Sequence, residues 1–331
     1  MTKVVVIGAG AWGTALASAF QKAENIVSLY TIEKDVATQI NADHENKKRL
    51  PGVKLSPAIR ATLKPACLKD AHIVVLAQPA QATREVVTKL KPFIGKDSYI
   101  IVGSKGIEGS TGELLSSVIA SILPEQPIAV LSGPAFALPL AQHRATACTL
   151  ASARISASRW LASTLSSKTF RLYPTDDMIG CQLGGALKNV IAIASGITEG
   201  AAMGENARAA IITRGLHEIA RLGVIMGGRT ETLMGLSGLG DMILTAASHT
   251  SRNFQLGYAI GQGESIAELM QDATITREGI FTVKAAHILK QKYDVDMPIL
   301  ETMHMILYDG ASVQKAYDAL LNRPLRTEER A

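Results

Sequence analysis

A glycine-rich turn between a strand and a helix limits the fold of this chain more than any other sequence feature. Residues 4–7 are a β-branched run that predicts a buried strand, and Gly8-Ala9-Gly10-Ala11-Trp12-Gly13 follows directly. In such a turn the first glycine allows a tight bend, the second lets the backbone approach a pyrophosphate, and the third allows close helix packing. The helix N-terminus then attracts phosphate. A turn without a ligand is the alternative, but the βαβ context favours a dinucleotide site in this turn, at Gly8, Gly10, Ala11 and Gly13. Trp12 lies inside the same turn, where packing is its more typical role.

Further strand-like runs follow at the spacing expected for an α/β fold. They cover residues 26–30, 73–77, 99–102 and 128–131, and a segment of helical period follows each run. Strands that alternate with helices form a parallel sheet with helical crossovers. The sequence therefore predicts an N-terminal Rossmann-type, doubly wound parallel sheet.

The strand signal fades from about Met178, where long segments rich in Ala, Leu, Ile and Gly take over. Residues 187–197, 207–222 and 280–290 have helical periodicity. Tyr173-Pro174-Thr175-Asp176-Asp177 reads as a strand end, a turn and a helix cap. We therefore predict a dinucleotide-binding domain over residues 1–177 and a mostly helical substrate and catalytic domain over residues 178–331.

Composition excludes several other classes of protein. The net charge of +5 is spread over 331 residues without a polybasic block, which does not favour nucleic acid as a partner. The three cysteines stand far apart, which indicates neither a disulfide framework nor a metal site. The stretch at residues 4–21 resembles a secretory signal, but the glycine turn explains it better. We expect a cytoplasmic protein that binds no metal, no nucleic acid and no membrane.

Glu33 is the candidate for recognition of the adenine ribose. It follows Gly13 by 20 residues and lies just past the second predicted strand, where an acid accepts hydrogen bonds from the ribose hydroxyls of NAD. Lys34 is adjacent and would suit the 2′-phosphate of NADP, and a solvated helix residue is an equal alternative for Glu33. The cofactor is thus NAD or NADP, with NAD favoured.

Hydride transfer to a ketone needs a proton donor, and a phosphorylated substrate needs cations or amides. Ser104-Lys105-Gly106 and Ser132-Gly133-Pro134 follow two strands of the predicted sheet, at the edge where ligands bind in such folds. Each is a candidate contact, although Lys105 on its own is more typical of a solvated surface lysine.

The predicted second domain carries polar residues in unusual surroundings. Lys188 lies within an apolar helix of small residues, where it either extends to solvent or is buried and functional, because burial lowers the pKa of an amine. Asp241 ends a glycine-rich turn, and Ser251-Arg252-Asn253 would bind an oxyanion if it began a helix. A turn acid and a plain helix cap are the respective alternatives for Asp241 and Ser251.

Taken together, these residues resemble the bacterial NAD(P)-dependent glycerol-3-phosphate dehydrogenases. The resemblance implies a cytoplasmic homodimer that reduces dihydroxyacetone phosphate to sn-glycerol 3-phosphate for phospholipid synthesis. It extends almost end to end, through the glycine turn, Leu50-Pro51-Gly52, Ser104-Lys105-Gly106-Ile107-Glu108, Ser132-Gly133-Pro134, Leu187-Lys188-Asn189, Ile212-Thr213-Arg214-Gly215-Leu216, Gly238-Leu239-Gly240-Asp241, Ser251-Arg252-Asn253, Glu278-Gly279 and Met297-Pro298-Ile299.

The resemblance also implies a role for each residue. Lys188 would exchange the proton with the substrate, with Lys105 and Asp241 beside it in catalysis. The substrate would contact Lys105, Gly133, Lys188, Asp241, Ser251, Arg252 and Asn253. The dinucleotide would contact Trp12, Lys105, Ala137, Arg252 and Glu278 in addition to the glycine turn.

Three positions depart from the family pattern. Ala135 replaces the usual Ser or Thr, so only a backbone contact to substrate is left there. Ile32 and Glu33 stand where Arg or His is frequent, which weakens the case for NADP. Pro139 replaces an acid, and we expect it to delay or bend the helix after Phe136.

Two alternative functions remain at this point. A β-hydroxyacid or 6-phosphogluconate type dehydrogenase shares the two-domain plan and the helical lysine, but it does not require both Gly238–Asp241 and Ser251–Asn253. A catalytically silent dinucleotide sensor would keep the glycine turn and could dispense with Lys188 and Asp241.

Overall fold

A computed structural model describes residues 1–271, 278–324 and 327 of the chain. The chain forms two compact units, of which the first comprises Met1–Lys105 and Leu114–Cys181. The second comprises Gly106–Glu113 and Gln182–Ala331. The short segment Gly106–Glu113 thus belongs to the second unit, although it precedes the boundary predicted at residue 177. The functional assignment of the two domains stays a prediction.

An eight-stranded sheet forms the centre of the first unit, and it confirms the predicted α/β class. The order across the sheet is β3-β2-β1-β4-β5-β6-β7-β8, and β1 to β6 pair in parallel. All five predicted strands are present. The strands are β1 Lys3–Ile7, β2 Ile26–Tyr30, β3 Arg60–Thr62, β4 Ile73–Leu76, β5 Tyr99–Val102, β6 Ile128–Ser132, β7 Thr146–Ser152 and β8 Phe170–Thr175.

The sheet is not parallel throughout, which differs from the prediction. Strand β7 runs antiparallel to β6, and β8 pairs in parallel with β7. The connection between β6 and β7 contains only the five-residue helix Ala137–Ala141. A parallel crossover needs a longer helix to carry the chain back along the sheet. The short helix therefore goes with a reversal of strand direction.

Successive side chains of a strand point to opposite faces of the sheet, and here both faces are apolar. Helices therefore cover both faces. Val4 and Val6 of β1 belong to one buried cluster, whereas Val5 and Ile7 belong to the other. This explains why the strand reads as a continuous apolar run. The helices of this unit are α1 Ala11–Lys22, α2 Lys34–Asp43, α3 Thr83–Leu90, α4 Leu115–Ile122, α5 Ala137–Ala141 and α6 Ile155–Leu165.

The second unit is mostly helical over its described residues, as predicted. The three predicted helical segments lie within α7, α8 and α13, and α14 packs on α8, α13 and α15. Helix α7 is long and apolar enough to cross a membrane by length and composition, but 89% of its most apolar window is buried inside the protein. The helices are α7 Met178–Gly200, which starts in the first unit, α8 Glu205–Ile225, α9 Thr230–Leu233, α10 Asp241–Ala246, α11 Arg252–Gly261, α12 Ile266–Leu269, α13 Glu278–Tyr293, α14 Pro298–Leu307 and α15 Val313–Leu321.

Candidate active site

The glycine turn lies where ligands bind in open α/β sheets. The strand order reverses between β1 and β4, so the carboxyl ends of these two strands border a crevice. The Gly8 amide, directly after β1, donates to the Tyr30 carbonyl oxygen at 2.9 Å. The turn is therefore fixed to the end of β2 and at the topological switch point.

Two of the three glycines are required by contacts within the protein. Gly8 has φ of +103°, a conformation that side chains with a Cβ rarely adopt. A Cβ added to Gly13 would lie 1.9 Å from the Gly8 carbonyl oxygen. A Cβ added to Gly10 would meet nothing within 4 Å. The absence of a side chain at Gly10 thus leaves open space before the N-terminus of α1, which fits a pyrophosphate.

The residues after β5 and β6 meet the aromatic side chain of this turn. The Trp12 indole nitrogen donates to the Gly103 carbonyl oxygen at 2.9 Å. The Lys105 ammonium donates to the Gly133 carbonyl oxygen at 2.8 Å and lies 5.8 Å from the Trp12 ring centroid. The structure therefore brings together three predicted site residues, Trp12, Lys105 and Gly133, from separate segments of the first unit.

Two buried polar atoms at the same sheet edge have no hydrogen-bond partner within the described part of the chain. They are Gln78 Oε1, just past β4, and Ser132 Oγ, at the end of β6. Buried polar groups without partners are rare in proteins and often mark ligand sites. Sequence reasoning gave Gln78 no role and named Ser132 only within the candidate segment Ser132-Gly133-Pro134, although a polar residue that ends a buried strand is a usable signal. Both atoms fit a polar cofactor at this edge.

Glu33 and Ala137 occupy helix starts in the first unit. Glu33 is the N-cap of α2, and its carboxylate accepts hydrogen bonds from Lys48 and Arg49. The Lys48 hydrogen bond is the main cause that lowers the pKa of Glu33. Ala137 is the first residue of α5, so the expected delay of the helix start by Pro139 is wrong. Proline fits within a first helical turn because its missing amide has no partner there in any case.

Lys188 is buried in the second unit and has a charged partner. Its ammonium donates to Asp241 Oδ1 and to Thr245 Oγ1, the latter at 2.7 Å. The exposed fractions of Lys188 and Asp241 are 6% and 0%. The alternative of a lysine that extends to solvent is therefore excluded for Lys188. Thr245 was not predicted, although it lies one helical turn after Asp241.

Glycines allow the backbone approach that places Asp241 on Lys188. A Cβ on Gly184, one turn before Lys188 in α7, would lie 2.6 Å from the Ser237 carbonyl oxygen. A Cβ on Gly238 would lie 1.9 Å from the Leu233 carbonyl oxygen. Residues 236–240 form a π-helical turn that leads directly into α10. The glycine-rich segment thus allows the close packing that positions Asp241 beside Lys188.

The Ser251-Arg252-Asn253 segment does begin a helix. Ser251 is the N-cap of α11, and its hydroxyl accepts a hydrogen bond from the Phe254 amide at 3.3 Å. Arg252 is exposed, whereas Asn253 is buried and donates to Asn189 Oδ1 at 3.0 Å. Ser251 therefore caps the helix, and its contact to the substrate stays a prediction.

Asn253 Oδ1 is buried with no hydrogen-bond partner in the described residues. A Cβ on Gly279 would lie 2.4 Å from this oxygen. Glu278, the remaining predicted cofactor contact, is half-buried at the start of α13. Five predicted residues of the second unit, which are Lys188, Asp241, Ser251, Arg252 and Asn253, therefore lie on α7, on α10 and at the start of α11.

Sequence profiles of one family match both parts of the chain. The profile for the NAD-dependent glycerol-3-phosphate dehydrogenase N-terminus matches residues 3–158, and the profile for the C-terminus matches residues 177–318. The chain belongs to the NAD-dependent glycerol-3-phosphate dehydrogenase family.

Individual members of this family resemble the chain over nearly its full length. An NAD(P)+-dependent glycerol-3-phosphate dehydrogenase from Rhodospirillum rubrum is 46% identical over 326 residues, which cover 98% of this chain and 93% of the relative. A counterpart from Bacillus licheniformis is 42% identical, with coverage of 99% and 96%. The crystal structure of glycerol-3-phosphate dehydrogenase from Coxiella burnetii superposes with a TM-score of 0.92 at 38% identity, with coverage of 97% and 99%.

Proposed function

We propose that this protein interconverts dihydroxyacetone phosphate and sn-glycerol 3-phosphate with NAD(H) or NADP(H), and so supplies phospholipid synthesis. The buried Lys188–Asp241 pair carries this proposal. A catalytically silent dinucleotide sensor has no need for a buried lysine paired with a buried carboxylate, because desolvation makes such a pair costly. The family membership favours a phosphorylated ketone over a hydroxyacid.

The residues that would hold the dinucleotide lie mainly in the first unit. Gly10 leaves room for the pyrophosphate, and the first amides of α1 point along a helix whose partial positive charge favours phosphate. A bound nicotinamide coenzyme supplies the hydride to the substrate carbonyl carbon. The proposed contacts are Gly8, Gly10, Ala11, Trp12, Gly13, Glu33, Lys105 and Ala137 in the first unit, with Arg252 and Glu278 from the second.

Lys188 is the proposed proton donor. When hydride adds to the carbonyl carbon, the carbonyl oxygen becomes an alkoxide, and the Lys188 ammonium transfers a proton to it. The carbinol is formed, and Lys188 is left as a neutral amine. The reverse reaction returns the proton to Lys188 as hydride leaves the carbon. Asp241 stabilises the charged ammonium, and both Asp241 and Thr245 fix its position.

The phosphate and hydroxyl groups of the substrate would contact the remaining predicted residues. Arg252 is exposed and carries a guanidinium that can bind phosphate with two parallel hydrogen bonds. Asn253 and Ser251 follow and precede it at the start of α11. Lys105 and the backbone at Gly133 complete the proposed substrate set.

The proposal extends to the setting of the reaction. We infer a cytoplasmic homodimer that needs no metal and contacts neither nucleic acid nor a membrane. Residues 1–177 would bind the dinucleotide and residues 178–331 would supply the catalytic and substrate groups.

Loss of NADH or NADPH absorbance on addition of dihydroxyacetone phosphate tests the proposed activity. The wild type should consume at least one coenzyme rapidly, whereas Lys188→Ala should lose nearly all turnover. Unphosphorylated dihydroxyacetone is the matched control substrate and should react poorly. Turnover of hydroxyacids instead of the phosphorylated ketone would contradict the proposal, and binding of NADH without any turnover would indicate a sensor.

A further inference from the structure

A short segment after α2 is anchored to the glycine turn. Asn46 is fully buried, and its amide nitrogen donates to the Ala9 carbonyl oxygen and to Thr14 Oγ1, both at 2.8 Å. Its side-chain oxygen accepts from the Arg49 amide at 3.2 Å. These bonds fix residues 46–50 beside the predicted dinucleotide site. The backbone that carries Lys48 and Arg49 is therefore anchored to the turn by buried contacts of Asn46.

Both cations converge on Glu33. Lys48 donates to Glu33 Oε2 at 2.6 Å, and Arg49 contacts Glu33 Oε1 and Oε2 at 3.1 and 3.0 Å. Lys48 also lies 3.2 Å from Asp35 Oδ2. The side chains of Lys48 and Arg49 are each 45% exposed, so solvent and ligands can reach them. An arginine fork with a lysine beside it is a donor set that suits phosphate as well as carboxylate.

The position of Glu33 makes this ion cluster relevant to the coenzyme. An acid at the end of the second strand accepts from the ribose hydroxyls of NAD, whereas a basic side chain there accommodates the 2′-phosphate of NADP. In this protein one acid, Glu33, and two basic side chains, Lys48 and Arg49, contact one another at that position. An ionised carboxylate has about four acceptor sites. Lys48 and Arg49 make three hydrogen bonds to Glu33, so the carboxylate can still accept one from a ribose hydroxyl.

We propose that Lys48 and Arg49 form a binding site for the 2′-phosphate of NADP, and that Glu33 masks this site and sets a preference for NAD. This inference rests on the proposed use of a nicotinamide coenzyme. A 2′-phosphate must displace the Glu33 carboxylate from both cations and then lies beside its negative charge. The ribose diol of NAD meets neither obstacle. A neutral residue of the same shape at position 33 removes the mask and leaves the phosphate site in place.

Direct binding of NAD+ and NADP+ by isothermal titration calorimetry tests the mask without any turnover. Wild type should bind NAD+ more tightly than NADP+. Glu33→Gln should strengthen binding of NADP+ relative to NAD+ by roughly tenfold or more. The substitution removes charge repulsion of the phosphate and leaves the Lys48 and Arg49 side chains available to it. The triple variant Glu33→Gln/Lys48→Ala/Arg49→Ala should lose that gain. Asp43→Asn is the matched control, since Asp43 also pairs with a lysine, Lys47, at the far end of α2.

The outcomes separate this inference from the proposed function. An unchanged ratio in Glu33→Gln, with NAD+ still bound, would overturn the mask alone. A gain for NADP+ that persists in the triple variant would overturn the assignment of Lys48 and Arg49. A similar shift in Asp43→Asn would show a general charge effect and would also overturn it. Failure of wild type to bind either coenzyme would overturn the proposed function and this inference together.

Discussion

The Thr245 hydroxyl oxygen lies 2.7 Å from the Lys188 ammonium, and the two residues are 57 positions apart in the chain. Thr245 stands one turn after Asp241 in α10, so one helix supplies both the carboxylate and the hydroxyl that contact the lysine. The hydroxyl fixes the direction of the ammonium, whereas the carboxylate balances its charge. Thr245 is therefore a positioning residue in the proposed reaction.

Thr245→Val should lower kcat by roughly tenfold, because a hydrogen bond to a charged group is lost while the shape is kept. KM for dihydroxyacetone phosphate should change little, and the pH profile of kcat should move, because the lysine environment changes. Thr198→Val is the control, since the buried Thr198 hydroxyl donates to the Ala194 carbonyl oxygen of its own helix. Equal effects of the two substitutions on kcat and its pH profile would show that Thr245 has only a structural role.

Asp241→Asn should affect both stability and activity. It removes the negative charge of Asp241 from the buried Lys188 ammonium, which costs on the order of 3 kcal/mol of unfolding free energy. Urea unfolding measures this loss, and steady-state kinetics should show a fall in kcat in the fraction that stays folded. A variant with wild-type stability and turnover would show that the Lys188–Asp241 ion pair contributes to neither stability nor turnover.

Substitutions of two neighbouring glycines should separate folding from binding. Gly10→Ala places a Cβ in open space, so the melting temperature should stay near the wild-type value while the affinity for NADH falls at least about tenfold. Gly13→Ala forces a Cβ against the Gly8 carbonyl oxygen and should destabilise the protein itself. Thermal unfolding and calorimetric titration measure the two effects. Wild-type NADH affinity in Gly10→Ala would contradict a pyrophosphate at this position.

Glu218 should make stability depend on pH. Burial raises the pKa of Glu218 to about 8, and the negative charge of Asp296 acts in the same direction. Hydrogen bonds from the Ile299 and Leu300 amides and the charge of Arg221 lower the pKa, but they do not offset burial. The folded state then holds a proton that the unfolded state releases above its ordinary pKa of 4.5. Stability from this group is therefore present at low pH and lost as the pH rises from the unfolded pKa through the folded one.

Relative to Glu218→Gln, the wild type should lose about 2 kcal/mol of unfolding free energy between about pH 5.5 and about pH 7.5. Urea unfolding of both proteins at several pH values measures the difference, and the glutamine variant cancels the contribution of all other titrating groups. Parallel curves for the two proteins would contradict a protonated, buried Glu218.

Much of the fold could be predicted because the strands of the sheet centre are buried on both faces. Residues 73–76 and 99–102, for example, read as continuous apolar runs. The edge strand β3 was missed because it has three residues, one of them Arg60. Strand β7 was missed because its Ala, Cys and Ser residues give a weak β signal. Its antiparallel direction depends on the length of α5, which propensity does not reveal.

The sequence indicates candidate residues for the site, but it does not indicate the contacts between them. The glycine turn and Lys188 stand out in the sequence because their chemistry is unusual for their surroundings. The pairing of Lys188 with Asp241 joins residues 53 positions apart and depends on close backbone approach at Gly184 and Gly238. No local pattern indicates that Lys48 and Arg49 meet Glu33, since Asn46 brings them there by tertiary contacts.

Transfer of deuterium from labelled coenzyme tests the central claim most directly. The protein is incubated with dihydroxyacetone phosphate and NADH or NADPH that carries deuterium at C4 of the dihydronicotinamide ring, on either face. The product is then examined by NMR and mass spectrometry. The account predicts sn-glycerol 3-phosphate with one deuterium at C2 from one of the two labelled faces, and no product with Lys188→Ala. Recovery of unreacted dihydroxyacetone phosphate, or of product without deuterium from either face, would contradict it.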